Sequence, residues 1–378
     1  MMLIHNKHEH YRTEIDLADE KLFGQKAEED AVVFLSHHDH YNVTPLISLS
    51  GLAEKLQIGR LLVKDEGARL GIGSFKGLGG YHAVMRKFLK EASVILGREV
   101  RIQDIADPEV RSVASKMAFC AASAGNHGRG VAAAVQMLGA TVYIYLPEQT
   151  KSEYVEAITK YGALVRKFPG SYDQTLVAIN ADAKKNDWFL ISDISFIEND
   201  EVTSWVMQGY LLILKEALEQ SVQVPTHIFI QAGVGGLAGA LAAQLRIRYG
   251  KNCPYIVIVE PVGAACIYDS IEAGELKKIR HGLPTAMSML DCLQPSLAAW
   301  RILTRTGDSF MKINESENKE ALALLGKPLG NDPVIKSSES GSAGLTGLVK
   351  AIHHEQMRSA IGLDLNSCVL VINTEQAN

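Results

Sequence analysis

No window of the 378-residue chain holds the ~18 uninterrupted apolar residues of a membrane-spanning helix. The first residues, MMLIHNKHEHYRTEIDLADEKLFG, lack the apolar centre of a secretion signal, so a cytoplasmic protein is expected. Charge of one sign is never concentrated: 38 Lys and Arg against 43 Asp and Glu give −5, dispersed along the sequence. That pattern excludes a basic nucleic-acid face and an acidic tail, and small molecules become the expected partners. Cysteine is sparse. Cys120, Cys253, Cys266, Cys292 and Cys368 stand far apart with no C-x-x-C, so neither a zinc knuckle nor a disulfide framework is expected, and no metal site. Cys120 and Cys368 sit in apolar runs and read as small core residues. Cys266 and Cys292 flank loops and could approach each other, although a reducing compartment disfavours a disulfide between them. There is no repeat and no low-complexity linker.

What the chain does have is enough apolar material, 47% of residues, to bury a sizeable core in about two lobes. Short apolar runs alternate with amphipathic stretches, the pattern of βα units on an open, mostly parallel sheet. The runs at 60–65, 116–123, 141–146, 163–168, 188–193, 226–232, 255–260 and 368–373 are the expected strands. Helical spacing fills HGRGVAAAVQMLG, SEYVEAITKYG and EVTSWVMQGYLLILKEALEQ. Segment 305–337 carries less signal, with NESENKE a solvated loop or helix start.

Two glycine clusters carry chemistry. In THIFIQAGVGGLAGALAAQL a strand pattern runs into Gly233-Val234-Gly235-Gly236-Leu237 and then a helix, which aims backbone amides and a positive helix end at one point. One reading is a dinucleotide fingerprint of an NAD-dependent dehydrogenase, with Glu260 closing the next strand as the ribose-binding acid. A turn that needs glycine for geometry alone is the plainest reading. The fingerprint, however, comes after several βα units instead of after the first strand, and a single phosphate suffices for this loop. A cofactor with one phosphate and an aldehyde that a lysine can capture is pyridoxal phosphate (PLP). Lys76, in LGIGSFKGLGG, supplies that lysine; a partly desolvated pocket that lowers its pKa would suit it, and the small neighbours Gly73, Ser74, Gly77, Gly79 and Gly80 would let a flat ring approach the backbone. A solvent-facing lysine at a helix start is the simpler alternative. The third piece is SAGNHGRG. Ser123, Gly125, Asn126 and His127 form a polar turn at a helix entry, apt for a substrate carboxylate or a ring hydroxyl of the cofactor, or only for capping the helix.

SFKGLGG, SAGNHGRGVA, QAGVGGLAG and VEP, in this order, resemble the PLP-dependent enzymes of the tryptophan synthase β-chain type, fold type II. LLVKDEGARLGIGSFKGLGG, TSWVMQGY, IVEPVGAACIYDS and GNDPVIKSSESGSAGL are more similar to the diaminopropionate ammonia-lyases than to threonine dehydratases or cysteine synthases. The resemblance implies a two-lobed α/β homodimer: a large PLP-binding domain from 1–85 and 210–378, and a smaller domain, 86–209, carrying the Ser-Ala-Gly-Asn-His loop. It implies a Schiff base on Lys76, the phosphate on the Gly233–Leu237 turn, Asn126 near the ring oxygen, and Thr374, with Asn373 the less suitable neighbour, at the ring nitrogen. Asp193, ending WFLISD, becomes the base, and the reaction an α,β-elimination of ammonia to pyruvate. A serine or threonine dehydratase, a PLP β-replacement synthase and a PLP-binding protein without turnover remain alternatives. One departure stands out: the lyases typically carry aspartate where this chain has Ala124, and Ala cannot move a proton. Glu339 and Ser340 either lie near the substrate amine or mark only a capped helix start and stay outside the catalytic set; Trp205 and Tyr210 read as core.

Overall fold

The computed structural model describes residues 2–170, 172–197, 200–280 and 282–377. Its strands are β1 (Leu3–His5), β2 (Leu46–Ser48), β3 (Arg60–Asp65), β4 (Ala118–Ala121), β5 (Thr141–Pro147), β6 (Leu164–Phe168), β7 (Phe189–Leu190), β8 (His227–Gln231), β9 (Tyr255–Pro261), β10 (Ser309–Ile313) and β11 (Cys368–Asn373). Two sheets result. The larger runs β1-β10-β9-β8-β11-β3-β2 and the smaller β6-β5-β4-β7. Only the edge strands of the larger sheet are antiparallel, β1 against β10 and β2 against β3; β8, β9, β10, β11 and β3 pair in parallel, as do all strands of the smaller sheet. Central strands with helices on both faces need apolar residues at successive positions, and β8 and β11 are buried at every residue.

All eight expected strands exist. That at 188–193 shortens to two residues, because the chain leaves the sheet once Ile191 N has bonded to the Cys120 carbonyl. β1 and β2 are too short for alternation to register. β10 is absent from the expectation because Asp308 and Lys312 break up its apolar run. After it, Asn314 caps the Glu315–Gly326 helix with a reciprocal Glu317 bond, so NESENKE is a helix start.

The periodic stretch 201–220 is two helices, Glu201–Gly209 and Leu211–Gln220, broken at Tyr210. Next to this break the chain packs closely against the Lys76–Leu96 helix. A Cβ on Gly209 would lie 2.6 Å from the Leu78 carbonyl oxygen, and one on Gly79 would lie 2.7 Å from Val206 O. Gly80 likewise meets the Gly130–Val131 backbone at 2.9 Å. Gly79 and Gly80 therefore serve helix crossings, and the expectation that they admit a flat ring is corrected.

A buried ion cluster sets the approach to Lys76. Lys64 and Arg69 are both fully enclosed. Lys64 Nζ donates to Glu216 Oε2 at 2.7 Å, while Arg69 donates to Glu66 through Nε at 2.7 Å and to Glu216 through Nη2 at 2.6 Å. Thr44 Oγ1 donates to Glu66 at 2.6 Å and accepts from Arg69 at 2.8 Å. Two cations face two carboxylates with their hydrogen-bonding capacity engaged, the condition under which buried charge is tolerated. This anchors the end of β3 and the loop that carries Lys76.

Candidate active site

At the C-terminal edges of both sheets lies a cavity of about 560 Å³. Three helices begin on its wall, at Lys76, Asn126 and Gly236, and none of the three has a side-chain cap. The positive ends of these helices make the cavity attractive to an anion, the Asn126 and Gly236 starts most, because at the Lys76 start the amides of Lys76 and Gly77 already donate to Ser74 Oγ at 3.4 Å and to the Ser74 carbonyl at 3.2 Å. Gly125, not Ser123 or Asn126, is the N-cap residue of the second helix, so capping does not occupy the Asn126 side chain. At the third, Gly235 has φ +96°, and a Cβ there would stand 2.9 Å from Ile267 Cδ1. Both the backbone conformation and the lack of space require glycine.

Lys76, Ser123, Gly125, Asn126, His127, Asp193, Gly233, Val234, Gly235, Gly236, Leu237 and Thr374 all border this one cavity. Lys76 Nζ is ion-paired with Asp193 Oδ2. Burial pushes the amine down, but the attraction of Asp193 prevails and holds it above the ordinary lysine range. The lowered pKa expected from desolvation is thus corrected: a charged partner outweighs it. Burial in turn raises the Asp193 carboxyl, yet His127 and Lys76 hold it well below the usual range. His127 Nε2 bonds to the Ile191 carbonyl at 3.0 Å, tying the first helical turn to the segment that presents Asp193.

Thr374 Oγ1 accepts from Gln231 Nε2 at 3.1 Å, which leaves its own O–H free to donate. Asn373 does not border the cavity; it donates to Asp65 at 2.7 Å and accepts from Ser337 at 2.7 Å. Glu260, the acid of the dinucleotide reading, is also elsewhere. Its carboxylate accepts from Ile267 N at 2.9 Å and Tyr268 N at 2.7 Å, closing the Cys266–Ala273 helix start. No acid in that position is available to a ribose, and the NAD reading loses its second feature. Burial pushes this carboxyl up to about 8 from 4.5, against the two amide bonds. Between those pH values the folded state keeps a proton that the unfolded chain has lost, so this group makes stability fall as pH rises. Glu260→Gln should flatten that decline in a series of thermal melts.

Cys266 and Cys292 are free thiols, with Cys266 Sγ 3.7 Å from the Gly233 carbonyl. Composition and spacing do not single out three further cavity residues. Glu375 lies two residues past the end of β11, and its place beyond a parallel-strand end is the available signal. Ser340 lines the wall, its Oγ accepting from Met289 N at 3.1 Å. Tyr210 is core, as Trp205 is, but it also lines the cavity, and its buried hydroxyl has no hydrogen-bond partner among the described residues. Its ring lies between Gly79 and Gly236.

The donor set suits a flat anionic aldehyde: an amine, a glycine turn at an uncapped helix start, and an orphan phenol whose burial is costly until a ligand oxygen meets it. Tyr210→Phe should weaken PLP binding by about fivefold to tenfold, the effect of one hydrogen bond, read by equilibrium dialysis.

The sequence agrees with this geometry. A family model described as pyridoxal-phosphate dependent enzyme matches residues 38–361, and the chain belongs to that family. The diaminopropionate ammonia-lyase of Escherichia coli (strain K12) is 33% identical over 381 residues, spanning 97% of this chain and 94% of that one. A crystal structure of that enzyme in complex with an aminoacrylate-PLP azomethine reaction intermediate superposes with a TM-score of 0.87 at 33% identity, over 99% of this chain and 93% of that one. Another, in complex with D-serine, gives 0.88 at 32% identity with the same coverage.

Proposed function

We propose that the chain is a PLP-dependent ammonia-lyase that converts 2,3-diaminopropionate and water into pyruvate and two molecules of ammonia. The observation that carries this reading is the Lys76–Asp193 pair facing the Gly233–Leu237 turn across one cavity. When bound, PLP supplies an aldehyde for amines and a conjugated ring that withdraws electrons from an attached α-carbon. Lys76 Nζ would hold it, the amides of Gly233, Val234, Gly235, Gly236 and Leu237 would bind its phosphate, and Thr374 and Asn126 would meet its ring nitrogen and oxygen. Ser123, Gly125 and His127 line the side on which a substrate carboxylate would lie.

Asp193 would take the α-proton at a carboxylate oxygen. Paired with Lys76⁺ it is a weak base; once the amine is engaged and neutral, one of the two groups that hold its proton affinity down is gone, and His127 alone opposes burial. The base thereby strengthens when a substrate is in place. Thr374 offers a neutral partner, which leaves a pyridine nitrogen unprotonated and suits elimination over amino-group transfer.

Ala124 borders the cavity where the resemblance expects a second acid. The reading is therefore restricted to one enantiomer, the L form addressed from Asp193. With purified protein, L-diaminopropionate should yield pyruvate and ammonia in a 1:2 ratio and the D form little. Faster conversion of serine or threonine would favour the dehydratase alternative, and incorporation of an added nucleophile the synthase.

The same reading carries a large domain of 1–85 and 210–378 and a small one of 86–209. In its support, β1 to β3 and β8 to β11 make one sheet and β4 to β7 the other. It also carries a homodimer in the cytoplasm. Five free thiols accord with a reducing compartment, and among the described residues no helix is long and apolar enough to cross a membrane.

A further inference from the structure

Asn126 is the first residue of its helix, half-buried at the cavity wall. Its amide lies between two groups of opposite kind. Arg129 Nη1 donates to Asn126 Oδ1 at 3.1 Å, and Asn126 Nδ2 donates to Glu375 Oε2. A guanidinium can only donate and an ionised carboxylate can only accept, so one orientation of the amide satisfies both. Reversed, it would set N–H against N–H and oxygen against oxygen. In the permitted orientation the second Nδ2 hydrogen has no partner among the described residues.

Both flanking groups are themselves held. Glu375 is 7% exposed, its Oε1 accepts from Ser338 Oγ at 2.5 Å, and its carbonyl accepts from Ser338 N at 3.3 Å. Arg129 Nη2 donates to the Ile72 carbonyl at 2.5 Å, on the loop leading to Lys76. Glu375 also lines the cavity, yet no step above uses its carboxylate.

We propose that Glu375 and Arg129 are positioning residues that fix the polarity of Asn126, so that it presents an N–H to the cavity and selects an oxygen acceptor on the cofactor ring. This rests on the reading of Asn126 as the residue facing the ring oxygen of PLP. Glu375 acts through Asn126 and not on the substrate.

The test measures PLP affinity of the full-length protein, by equilibrium dialysis of resolved enzyme, together with the pH midpoint of the bound cofactor's absorbance. Glu375→Ala should cost about tenfold in affinity. It should also raise the absorbance midpoint, since an anionic oxygen loses a well-aimed donor. Glu375→Gln, which keeps an acceptor for Asn126, should restore both. Glu375→Asp, which keeps the charge but shortens the reach, should resemble the alanine variant and serves if that variant does not fold. In an Asn126→Ala background, Glu375→Ala should add nothing.

Additive losses in that double variant, or a glutamine variant as poor as alanine, would overturn the positioning role. An Asn126→Ala protein with unchanged affinity and absorbance would overturn the reading of Asn126 itself.

Discussion

Lys76→Ala is expected to reduce turnover by a factor on the order of 10³ or more while the protein stays folded. Lys76 opens its helix, and its side chain reaches into a cavity instead of the core. Borohydride should fix PLP irreversibly to the wild-type protein and leave the variant unlabelled. Lys278 also borders the cavity, so peptide mapping is needed. Label recovered at position 278, or full turnover without the amine at 76, would remove the basis of the proposed chemistry.

The second large effect is at Asp193. Asp193→Asn keeps the shape and removes the base, and kcat should fall by about 10² to 10⁴ with KM changed far less. The variant has a further signature that a merely structural residue would lack. Asp193 raises the Lys76 pKa against burial; without its charge, burial prevails and the amine loses its proton at lower pH. The pH at which the cofactor is captured should therefore shift downward in Asp193→Asn. An unchanged capture profile, or a kcat within a factor of about two of wild type, would assign the proton transfer to another group.

The chain's own residues announce a good part of this arrangement, for physical reasons. β8 and the Gly233 turn are legible because a strand, a positive-φ glycine and an apolar helix follow one another without interruption. Lys76 is legible because a lysine amid glycines is unusual. The opposition of Lys76 to Asp193, 117 positions later, depends on where two loops end and has no local signature. That is why desolvation alone, the only effect the local sequence suggests, points the wrong way for this amine: Asp193 holds it above the ordinary lysine range. Tyr210 looks like core because it is core; that its ring also borders the cavity depends on tertiary packing and leaves no mark on the helical periodicity. Glu375 lies beyond the last strand, where no periodicity exists to give it a side. Gly79 and Gly80 mislead for a related reason: sequence shows that a close approach occurs there but not which partner makes it.

The ion cluster of Lys64, Glu66, Arg69 and Glu216 constrains how this chain can vary. Loss of one member leaves its opposite uncompensated in a dry interior, at a cost of roughly 3–5 kcal/mol, a large share of a typical domain's margin. Charges can leave this place only as oppositely signed couples, one from the segment before Lys76 and one from the distant Leu211–Gln220 helix or from Glu66. Lineages derived from this sequence should keep the quartet whole or replace it in matched pairs, and single substitutions there should survive only beside a compensating second change.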